Sequence, residues 1–262
     1  MPETDPPILP GERLEILQYR GLVILQHGAV FRFGTDSILL ADFATVKTGD
    51  RVADLGTGTG ILPILLAART RGTTFDAVEI QPQMADMARR SVLLNRLDGR
   101  IRVLRMDLMD APGQLGHECY QAVICNPPYG KRAASLHNPD DGLRIARHEG
   151  DVTISDIART AGTLLKSGGR FSLVFPSSRM PELFGALREH HLEPKRLRAV
   201  CTLERRSPKL ILVEAVKNAR PGLVWLPQLV VRNADGTETE EIERIYHRGV
   251  YADDTPLAED EM

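Results

Sequence analysis

A chain of 262 residues is long enough for one sizeable hydrophobic core, and 42% hydrophobic with 26% charged residues is typical of a soluble globular protein. The formal net charge of −2 excludes a globally basic nucleic-acid-binding protein but leaves room for a local basic face. No apolar run reaches membrane-spanning length, and the N-terminus lacks the basic and apolar regions of a signal peptide. Cys119, Cys125 and Cys201 show no metal-ligand spacing, so we predict reduced thiols, no metal site and a cytoplasmic protein.

The N-terminal part of the chain predicts a short extension that leads into a helix. Two apolar runs, at 22–25 and 29–33, are separated by a glycine-containing turn, which favours a hairpin. Thr35 and Asp36 then precede a predicted helix at 38–44, where both residue types are typical N-caps. The functional alternative is a helix N-terminus that lies beside a charged ligand.

A glycine-rich turn, Gly56-Thr-Gly-Thr-Gly60, connects a predicted buried strand at 51–55 to a helix at 61–69. Such a turn lets the backbone approach a ligand closely. A P-loop would need a lysine after the last glycine, and a dinucleotide fingerprint would place its third glycine one residue later. Asp54 would also repel a pyrophosphate, so the pattern favours a cationic ligand such as S-adenosylmethionine. The cofactor-binding candidates in this segment are Asp54, Gly56, Gly58 and Gly60.

Two further acidic residues come at the ends of the next predicted strands. Glu79 lies near the end of a strand at 75–80, about 20 positions after the glycine turn, where nucleoside-binding sheets place a carboxylate for the ribose hydroxyls. Asp107 follows a strand at 101–106, and its position suits acceptance of a hydrogen bond from an adenine amino group. The alternatives are a solvated carboxylate for Glu79 and a local turn role for Asp107.

The rest of the chain is organised around Asn126-Pro-Pro-Tyr129, which follows a predicted buried strand at 122–125. The two prolines must end that strand because neither can donate a ladder hydrogen bond. The Asn126 side-chain oxygen and the Pro127 carbonyl can each accept one N–H of a planar amino group, while Tyr129 stacks on its ring. This arrangement predicts chemistry on an amino nitrogen, and a plain turn is the alternative. The predicted catalytic residues are Asn126, Pro127, Pro128 and Tyr129, with Asn126 also beside the cofactor.

Two basic segments predict a surface for phosphate groups. Residues 130–150 form a long polar connection directly after the proposed reacting atoms, which favours a substrate-facing loop. A second basic segment joins the last two strands of the sheet, and exposed hairpin charge is the alternative there. His148 could serve as a general base, but a structural or phosphate-contacting role fits better because a methylated ammonium nitrogen loses its proton readily to water. The predicted substrate-binding residues are Lys131, Arg132, Arg147, His148, Arg205, Arg206 and Lys209.

Strands that alternate with helices predict an α/β fold with a mostly parallel sheet covered by helices on both faces. The last two strands, at 196–202 and 209–216, have no helix between them and should pair antiparallel. Residues 229–238 are predicted to form a hairpin that turns at Asp235-Gly236. We divide the chain into an N-terminal extension and hairpin at 1–47, a catalytic domain at 48–218, and a C-terminal hairpin with an acidic tail at 219–262.

Four motifs carry a family resemblance: Phe33-Gly-Thr-Asp-Ser-Ile-Leu-Leu40, Asp54-Leu-Gly-Thr-Gly-Thr-Gly60, Asn126-Pro-Pro-Tyr129 and Ala146-Arg-His-Glu149. Over residues 12–217 the chain resembles the class I S-adenosylmethionine-dependent N-methyltransferases, and most of all the bacterial tRNA1(Val) adenine-N6 methyltransferases. The resemblance implies a Rossmann-like seven-stranded sheet with a reversed last hairpin. It also implies S-adenosylmethionine as the cofactor, with Thr35 and Asp36 near its methionine end, and transfer of a methyl group to an adenine N6 in tRNA near the anticodon.

Other functions are compatible with the same residues. Release-factor glutamine N5-methyltransferases share Asn-Pro-Pro-Tyr because a glutamine amide is also a planar nitrogen. They usually carry a helical N-terminal domain, whereas the residues before the sheet in this chain are strand-like and predict no such domain. A DNA adenine methyltransferase would use identical chemistry, and a non-catalytic RNA-binding scaffold would keep the fold without turnover. An NAD-dependent oxidoreductase is disfavoured by the glycine spacing.

Overall fold

The computed structural model describes residues 5–17, 19–28, 34–127 and 152–246. The strands are β1 (Glu12–Ile16), β2 (Val23–His27), β3 (Arg51–Leu55), β4 (Thr74–Glu79), β5 (Ile101–Arg105), β6 (Tyr120–Cys125), β7 (Leu165–Pro176), β8 (Leu192–Leu203), β9 (Leu210–Lys217), β10 (Val224–Trp225) and β11 (Leu229–Arg232). The α-helices are α1 (Thr35–Phe43), α2 (Ile61–Arg69), α3 (Pro82–Leu94), α4 (Ala111–Leu115), α5 (Ile154–Leu164), α6 (Met180–Glu189) and α7 (Glu240–Ile245). Two 3₁₀ turns, Leu108–Asp110 and Ser177–Arg179, precede α4 and α6.

Nine of the described strands form the central sheet, in the order β10-β8-β9-β7-β6-β3-β4-β5, with β11 also beside β8. The strands from β3 to β7 pair in parallel, whereas β9 runs antiparallel to both β7 and β8. The predicted Rossmann-like fold with an antiparallel last hairpin is thereby confirmed. The short strands β10 and β11 pair in parallel with β8 and extend the sheet beyond the seven strands expected.

Helices cover the sheet on both faces because the central strands present apolar side chains to both sides. In β6, Ala122 and Ile124 pack into the hydrophobic cluster formed with α1 and α2. Val123 and Cys125 pack into the cluster on the other face, formed with α5 and α6. Strands buried on both sides are expected to be nearly continuous in apolar residues, as this strand is.

The N-terminal elements differ from the prediction in two respects. β2 pairs antiparallel with β1, with Leu14 opposite Leu25, while the predicted partner segment 29–33 lies outside the described residues. α1 begins at Thr35, before the predicted start at 38, with the extended residue Gly34 as its N-cap. Thr35 and Asp36 therefore lie inside the first turn, so the prediction that they cap the helix is wrong.

The C-terminal elements also differ from the prediction. The expected hairpin at 229–238 is reduced to one antiparallel bridge between Arg232 and Glu238, because β11 pairs with β8 instead. The chain then enters α7, a helix that the sequence did not predict. Ile242 and Ile245 of this helix are buried in the cluster that contains α1 and α2.

Both ends of the described chain are attached to the central sheet layer by specific contacts. The buried Arg90 of α3 binds Glu12 of β1 at 2.5 Å and Asp86 of its own helix at 2.7 Å. At the other end, Arg198 of β8 binds Glu241 of α7 at 2.6 Å. Within the described ranges, no helix has the length and apolar character needed to cross a membrane.

Candidate active site

The predicted site residues meet where the parallel strands end. Leu55, the last residue of β3, pairs with Cys125 of β6 on one side and with Val78 of β4 on the other. The residues that follow these strands, Gly56 and Asn126, therefore lie at the same edge of the sheet. β5 ends there as well, and the amide of Met106 donates to the carbonyl of Glu79 at 3.2 Å. The strand register alone thus brings the glycine turn, Glu79, Asp107 and Asn126 to one edge.

The glycine-rich loop is held against the end of β4. The amides of Gly56 and Thr57 both donate to the carbonyl of Val78 at 2.9 Å. The amide of Gly58 donates to Oε2 of Glu79, also at 2.9 Å. The path of the loop is therefore determined by β4, and the Glu79 carboxylate is part of the loop's support.

Glycine is needed in this loop because of the backbone conformation. Gly56, Gly58 and Gly60 have φ angles of +76°, +60° and +89°, in the left-handed region that side chains disfavour. Among the described residues, no atom would lie within 4 Å of a Cβ on Gly56 or Gly58, so both face open space. A Cβ on Gly60 would meet the Ala88 side chain at 3.4 Å. The first two glycines thus border space for a ligand, whereas the third lies against α3.

Asp54 is completely buried at the end of β3. In the part of the chain that the structure describes, neither carboxylate oxygen of Asp54 makes a hydrogen bond of good geometry, and its buried neighbour, the Thr57 hydroxyl, interacts with it only weakly. Burial, with a smaller contribution from the nearby Glu79 carboxylate, raises the pKa of Asp54 to about 7, while the Thr57 side chain opposes the rise. A buried carboxylate without a partner is costly, so a group of this kind marks a place where a ligand supplies the missing donor or cation.

Glu79 is held in one orientation by two backbone donors. Its Oε2 accepts from Gly58 and its Oε1 accepts from the amide of Gln81, each at 2.9 Å. The residue is 6% exposed, so the alternative of a solvated carboxylate does not describe it. Each carboxylate oxygen can accept more than one hydrogen bond, which keeps capacity for the hydroxyls of a ribose.

Asp107 has a local role in a turn, which was the alternative to contact with an adenine. Its Oδ1 accepts from the amide of Met109 at 2.9 Å and so caps the 3₁₀ turn that follows β5. The side chain is half-buried beside the end of β4. Asp107 thus remains a candidate for adenine contact while it also stabilises the turn.

Asn126 is joined to α1 by a hydrogen bond that the sequence did not predict. Its Nδ2 donates to Oγ of Ser37 at 2.9 Å. Ser37 lies in the first turn of α1 and is 4% exposed, and Pro127 next to Asn126 is buried too. Thr35 and Asp36 share that turn, so the predicted methionine-end residues adjoin the end of β6. The only sequence signal for Ser37 is its place in the Gly34-Thr-Asp-Ser37 segment.

The C-terminal end of α7 reaches the same turn of α1. The half-buried phenol of Tyr246 has a raised pKa, first because of burial and further because of the Asp36 charge, while a hydrogen bond with the Thr35 side chain opposes the rise. Burial likewise raises the pKa of Asp36. Sequence reasoning missed Tyr246 because it lies almost the whole length of the chain away from Thr35.

Three of the predicted substrate-binding residues are exposed in the turn between β8 and β9: Arg205, Arg206 and Lys209. The turn is fixed beside the end of β7, where Ser177 donates from its amide to the Lys209 carbonyl at 3.0 Å and from its hydroxyl to the Pro208 carbonyl at 2.5 Å. Because β7 pairs in parallel with β6, this turn lies on the same edge of the sheet as Asn126. The other predicted site residues lie outside the described residues, namely Pro128, Tyr129, Lys131, Arg132, Arg147 and His148.

The cysteines take no part in a disulfide among the described residues. Burial raises the pKa of the Cys125 thiol well above its ordinary value, and the Asp54 charge adds to the rise. The thiol next to Asn126 is therefore neutral. Within the described ranges, no group of three or more His, Cys, Asp and Glu side chains is arranged to hold a metal ion.

A match to a known protein family covers the part of the chain that holds the glycine loop and Asn126. Residues 24–190 match the sequence model of the methyltransferase small domain. The chain belongs to this family. The matched segment runs from β2 to the end of α6 and so contains the glycine loop and Asn126 of this methyltransferase, but not α7.

Similar curated proteins indicate a narrower group within the methyltransferase family. The tRNA1(Val) (adenine(37)-N6)-methyltransferase of Porphyromonas gingivalis is 31% identical over 206 residues, which cover 76% of this chain and 80% of the relative. The enzyme of the same name from Tolumonas auensis is 31% identical over 217 residues, or 82% of this chain and 88% of the relative. The resemblance to this group is thereby confirmed. A solved structure from Agrobacterium tumefaciens, described as a predicted O-methyltransferase, matches with a TM-score of 0.67 at 25% identity, over 84% of this chain and 100% of the other.

Proposed function

We propose that this methyltransferase transfers a methyl group from S-adenosylmethionine to the exocyclic N6 amino group of an adenine in tRNA, near the anticodon. The observation that carries the proposal is the pairing of Leu55 with Cys125, which places Asn126 beside the strand end that bears the unpartnered Asp54 carboxylate. A site for a cationic cofactor thus adjoins a site for a planar amino group. The names of the curated relatives supply adenine and tRNA as the substrate.

The described residues fit the cofactor. The buried carboxylate of Asp54 lacks a partner that the cationic methionyl part of the cofactor can provide. Glu79 is oriented by backbone donors to accept the ribose hydroxyls, and Gly56 and Gly58 leave the loop open where side chains would otherwise project. When bound, S-adenosylmethionine supplies an electrophilic methyl carbon on a positively charged sulfur.

Asn126 and Pro127 act on the substrate by orientation. The side-chain oxygen of Asn126 holds one N–H of the adenine amino group, and the carbonyl of Pro127 holds the other. These two acceptors turn the lone pair of the nitrogen, which is otherwise delocalised into the ring, toward the methyl group. Tyr129 stacks on the base. Positioning of this kind can account for a large part of the rate enhancement, and the proton of the methylated nitrogen passes to water.

The basic segments bind the RNA backbone in this proposal. The turn that carries Arg205, Arg206 and Lys209 is exposed on the edge of the sheet that holds Asn126. Lys131, Arg132, Arg147 and His148 belong to the segment that directly follows the reacting residues. An adenine must leave its stack to reach Asn126, so the target base is single-stranded or flipped out. Phosphate contacts of this number also make binding strongly dependent on salt. A tRNA substrate fits the predicted cytoplasmic location.

The test is methyl transfer from labelled S-adenosylmethionine to total tRNA and, in parallel, to purified release factor. Wild-type protein should label tRNA, and nucleoside digestion should show N6-methyladenosine. Asn126→Ala should abolish the labelling and leave cofactor affinity near wild type. Label in the release factor instead of the tRNA would contradict the adenine assignment and support glutamine methylation.

A further inference from the structure

We infer that Ser37 is a positioning residue for methyl transfer, because its hydroxyl holds the Asn126 carboxamide in the orientation that presents the amide oxygen to the substrate amine. The inference deepens the proposed function and rests on it, since it acts through Asn126. Ser37 was not among the residues that the sequence indicated, and it lies on α1, far along the chain from the strand that ends at Asn126.

The contact is short and shielded from water. Nδ2 of Asn126 lies 2.9 Å from Oγ of Ser37, and Ser37 is 4% exposed while Asn126 is half-buried. A hydrogen bond in such surroundings has few competing waters, so it determines the rotation of the carboxamide more strongly than an exposed contact would.

Orientation matters because the two ends of a carboxamide have almost the same shape and opposite hydrogen-bonding properties. The oxygen accepts and the NH₂ group donates. If the group turned over, its N–H would face the N–H of the substrate amine, and the pair would repel. Nδ2 of Asn126 is directed at Ser37, so Oδ1 is the end of the carboxamide that does not bind this hydroxyl. In the structure the Ser37 hydroxyl accepts from Nδ2, and this hydrogen bond stabilises the orientation that leaves Oδ1 for the substrate amine.

The Ser37 hydroxyl is itself held by the fold. The amide of Ser37 donates to the Gly34 carbonyl at 3.3 Å, which forms the first turn of α1. The next two residues, Ile38 and Leu39, are buried in the hydrophobic cluster with α2. The packing of α1 on the sheet therefore positions the hydroxyl, and the same turn carries Thr35 and Asp36 toward the cofactor site.

The first experiment compares Ser37→Ala with Ser37→Thr in methyl transfer to the wild-type substrate. Ser37→Ala should lower kcat about 10- to 100-fold, a loss typical of misplaced reacting groups, with KM for RNA and Kd for the cofactor within about twofold of wild type. Ser37→Thr keeps the hydroxyl and should restore most of kcat. A matched control is Ser91→Ala, which removes another buried serine hydroxyl, one that accepts from the Leu25 amide at 2.9 Å. This control should lose stability and keep kcat.

The second experiment repeats Ser37→Ala in an Asn126→Asp background. A carboxylate offers two equivalent acceptor oxygens, so its orientation no longer needs a partner. Loss of the Ser37 hydroxyl should then lower kcat by less than about threefold, a non-additive result expected of two groups that act as one. The same fold-loss in both backgrounds would overturn the inference. If Asn126→Asp has no turnover, the Ser37→Ala and Ser37→Thr pair decides alone.

The outcomes separate this inference from the proposed function. Absence of wild-type transfer to tRNA would reject the proposed function, and the Ser37 variants would then be measured on whichever substrate the wild type methylates. Wild-type kcat in Ser37→Ala would reject the positioning role while leaving the proposed function intact. A weakened Kd for the cofactor, with kcat preserved, would also reject it, because Ser37 would then be a cofactor contact.

Discussion

Two buried aspartates on neighbouring strands show how this protein separates stability from ligand binding. Asp54 of β3 pairs with Ala77 of β4, and Asp76 of β4 pairs with Ala53 of β3. The two aspartates are therefore offset by one residue along the strands. Asp76 accepts from the Tyr120 hydroxyl at 2.5 Å and binds Arg51 at 3.0 Å and Arg102 at 2.7 Å. Asp54 has no such partner among the described residues.

The pKa values of Asp54 and Asp76 differ because, among the described residues, only Asp76 has strong hydrogen-bond partners. Burial by itself would raise both, but at Asp76 the hydrogen bonds from Tyr120, Arg102 and Arg51 outweigh burial and lower the pKa. At Asp54 burial prevails, and the pKa rises to about 7. The same residue type is therefore satisfied by protein partners on one face of the sheet. One residue closer to the carboxyl ends of the strands, on the other face, Asp54 has no such partner among the described residues. Open α/β sheets bind their ligands at those carboxyl ends.

The largest expected effect is on stability at Asp76. Asp76→Ala removes the carboxylate shared by the buried Tyr120 hydroxyl, Arg51 and Arg102, so the free energy of unfolding should fall by about 3–5 kcal/mol. Urea denaturation measures this loss. Arg102→Ala is the control, because its side chain is 60% exposed and its removal should cost at most about 1 kcal/mol. Unchanged stability of Asp76→Ala would show that the partners of Asp76 do not stabilise the fold, and would contradict the contrast with Asp54.

The stability of the cofactor-free protein should depend on pH through the titration of Asp54. Its folded pKa of about 7 lies above the ordinary value of 3.8, so between these values the folded state holds a proton that the unfolded state has lost. Asp54 therefore lowers stability progressively as pH rises from about 4 to about 7, by up to about 4 kcal/mol, and by a constant amount above that. Urea denaturation across this range should show a fall that is larger in the wild type than in Asp54→Asn, and the difference between the two is the contribution of Asp54.

Cofactor affinity gives the complementary measurement. Asp54→Asn removes the negative charge but keeps the shape, so Kd for S-adenosylmethionine at pH 8 should rise about 10- to 100-fold, as expected for one lost charge-assisted contact. In the wild type, affinity should increase as pH rises through about 7, because Asp54 then loses its proton. Isothermal titration calorimetry tests both. Asp76→Asn should leave the affinity unchanged if it remains folded, and equal losses in the two variants would remove the distinction.

The smallest effect is expected at the junction of α7 and α1. Tyr246→Phe removes the hydroxyl that interacts with Thr35, so the free energy of unfolding should fall by about 1 kcal/mol and cofactor affinity by a few-fold. Thermal denaturation and calorimetry provide the two readouts. Thr35→Val added to Tyr246→Phe should cost little more, since one hydrogen bond cannot be lost twice. Additive losses would show that the two side chains act separately.

Local patterns were sufficient for most of the fold. The apolar runs, the glycine turn and the prolines after β6 each depend on neighbours in the chain, so the strands from β3 to β9 and the longer helices between them could be predicted in order, whereas the short helix α4 was not. The meeting of Asp54, Glu79, Asp107 and Asn126 at one edge followed as well, because parallel strands end on the same side of a sheet. The N-terminal pairing, β10, the pairing of β11 with β8, and α7 were not predicted, since each depends on which surface a distant segment covers.

The sequence by itself determined the fold class, the family resemblance and the residue types at the ends of the strands. Only the tertiary structure decided which of those residues have partners. Asp76 is neutralised by Arg51 and Arg102, while Asp54 is buried and unsatisfied in the described structure, although both are aspartates in apolar strands. Ser37 meets Asn126 only because α1 packs across the end of β6. Periodicity and turn chemistry act over a few residues, whereas hydrogen-bond partners and pKa depend on groups that the folded chain brings together.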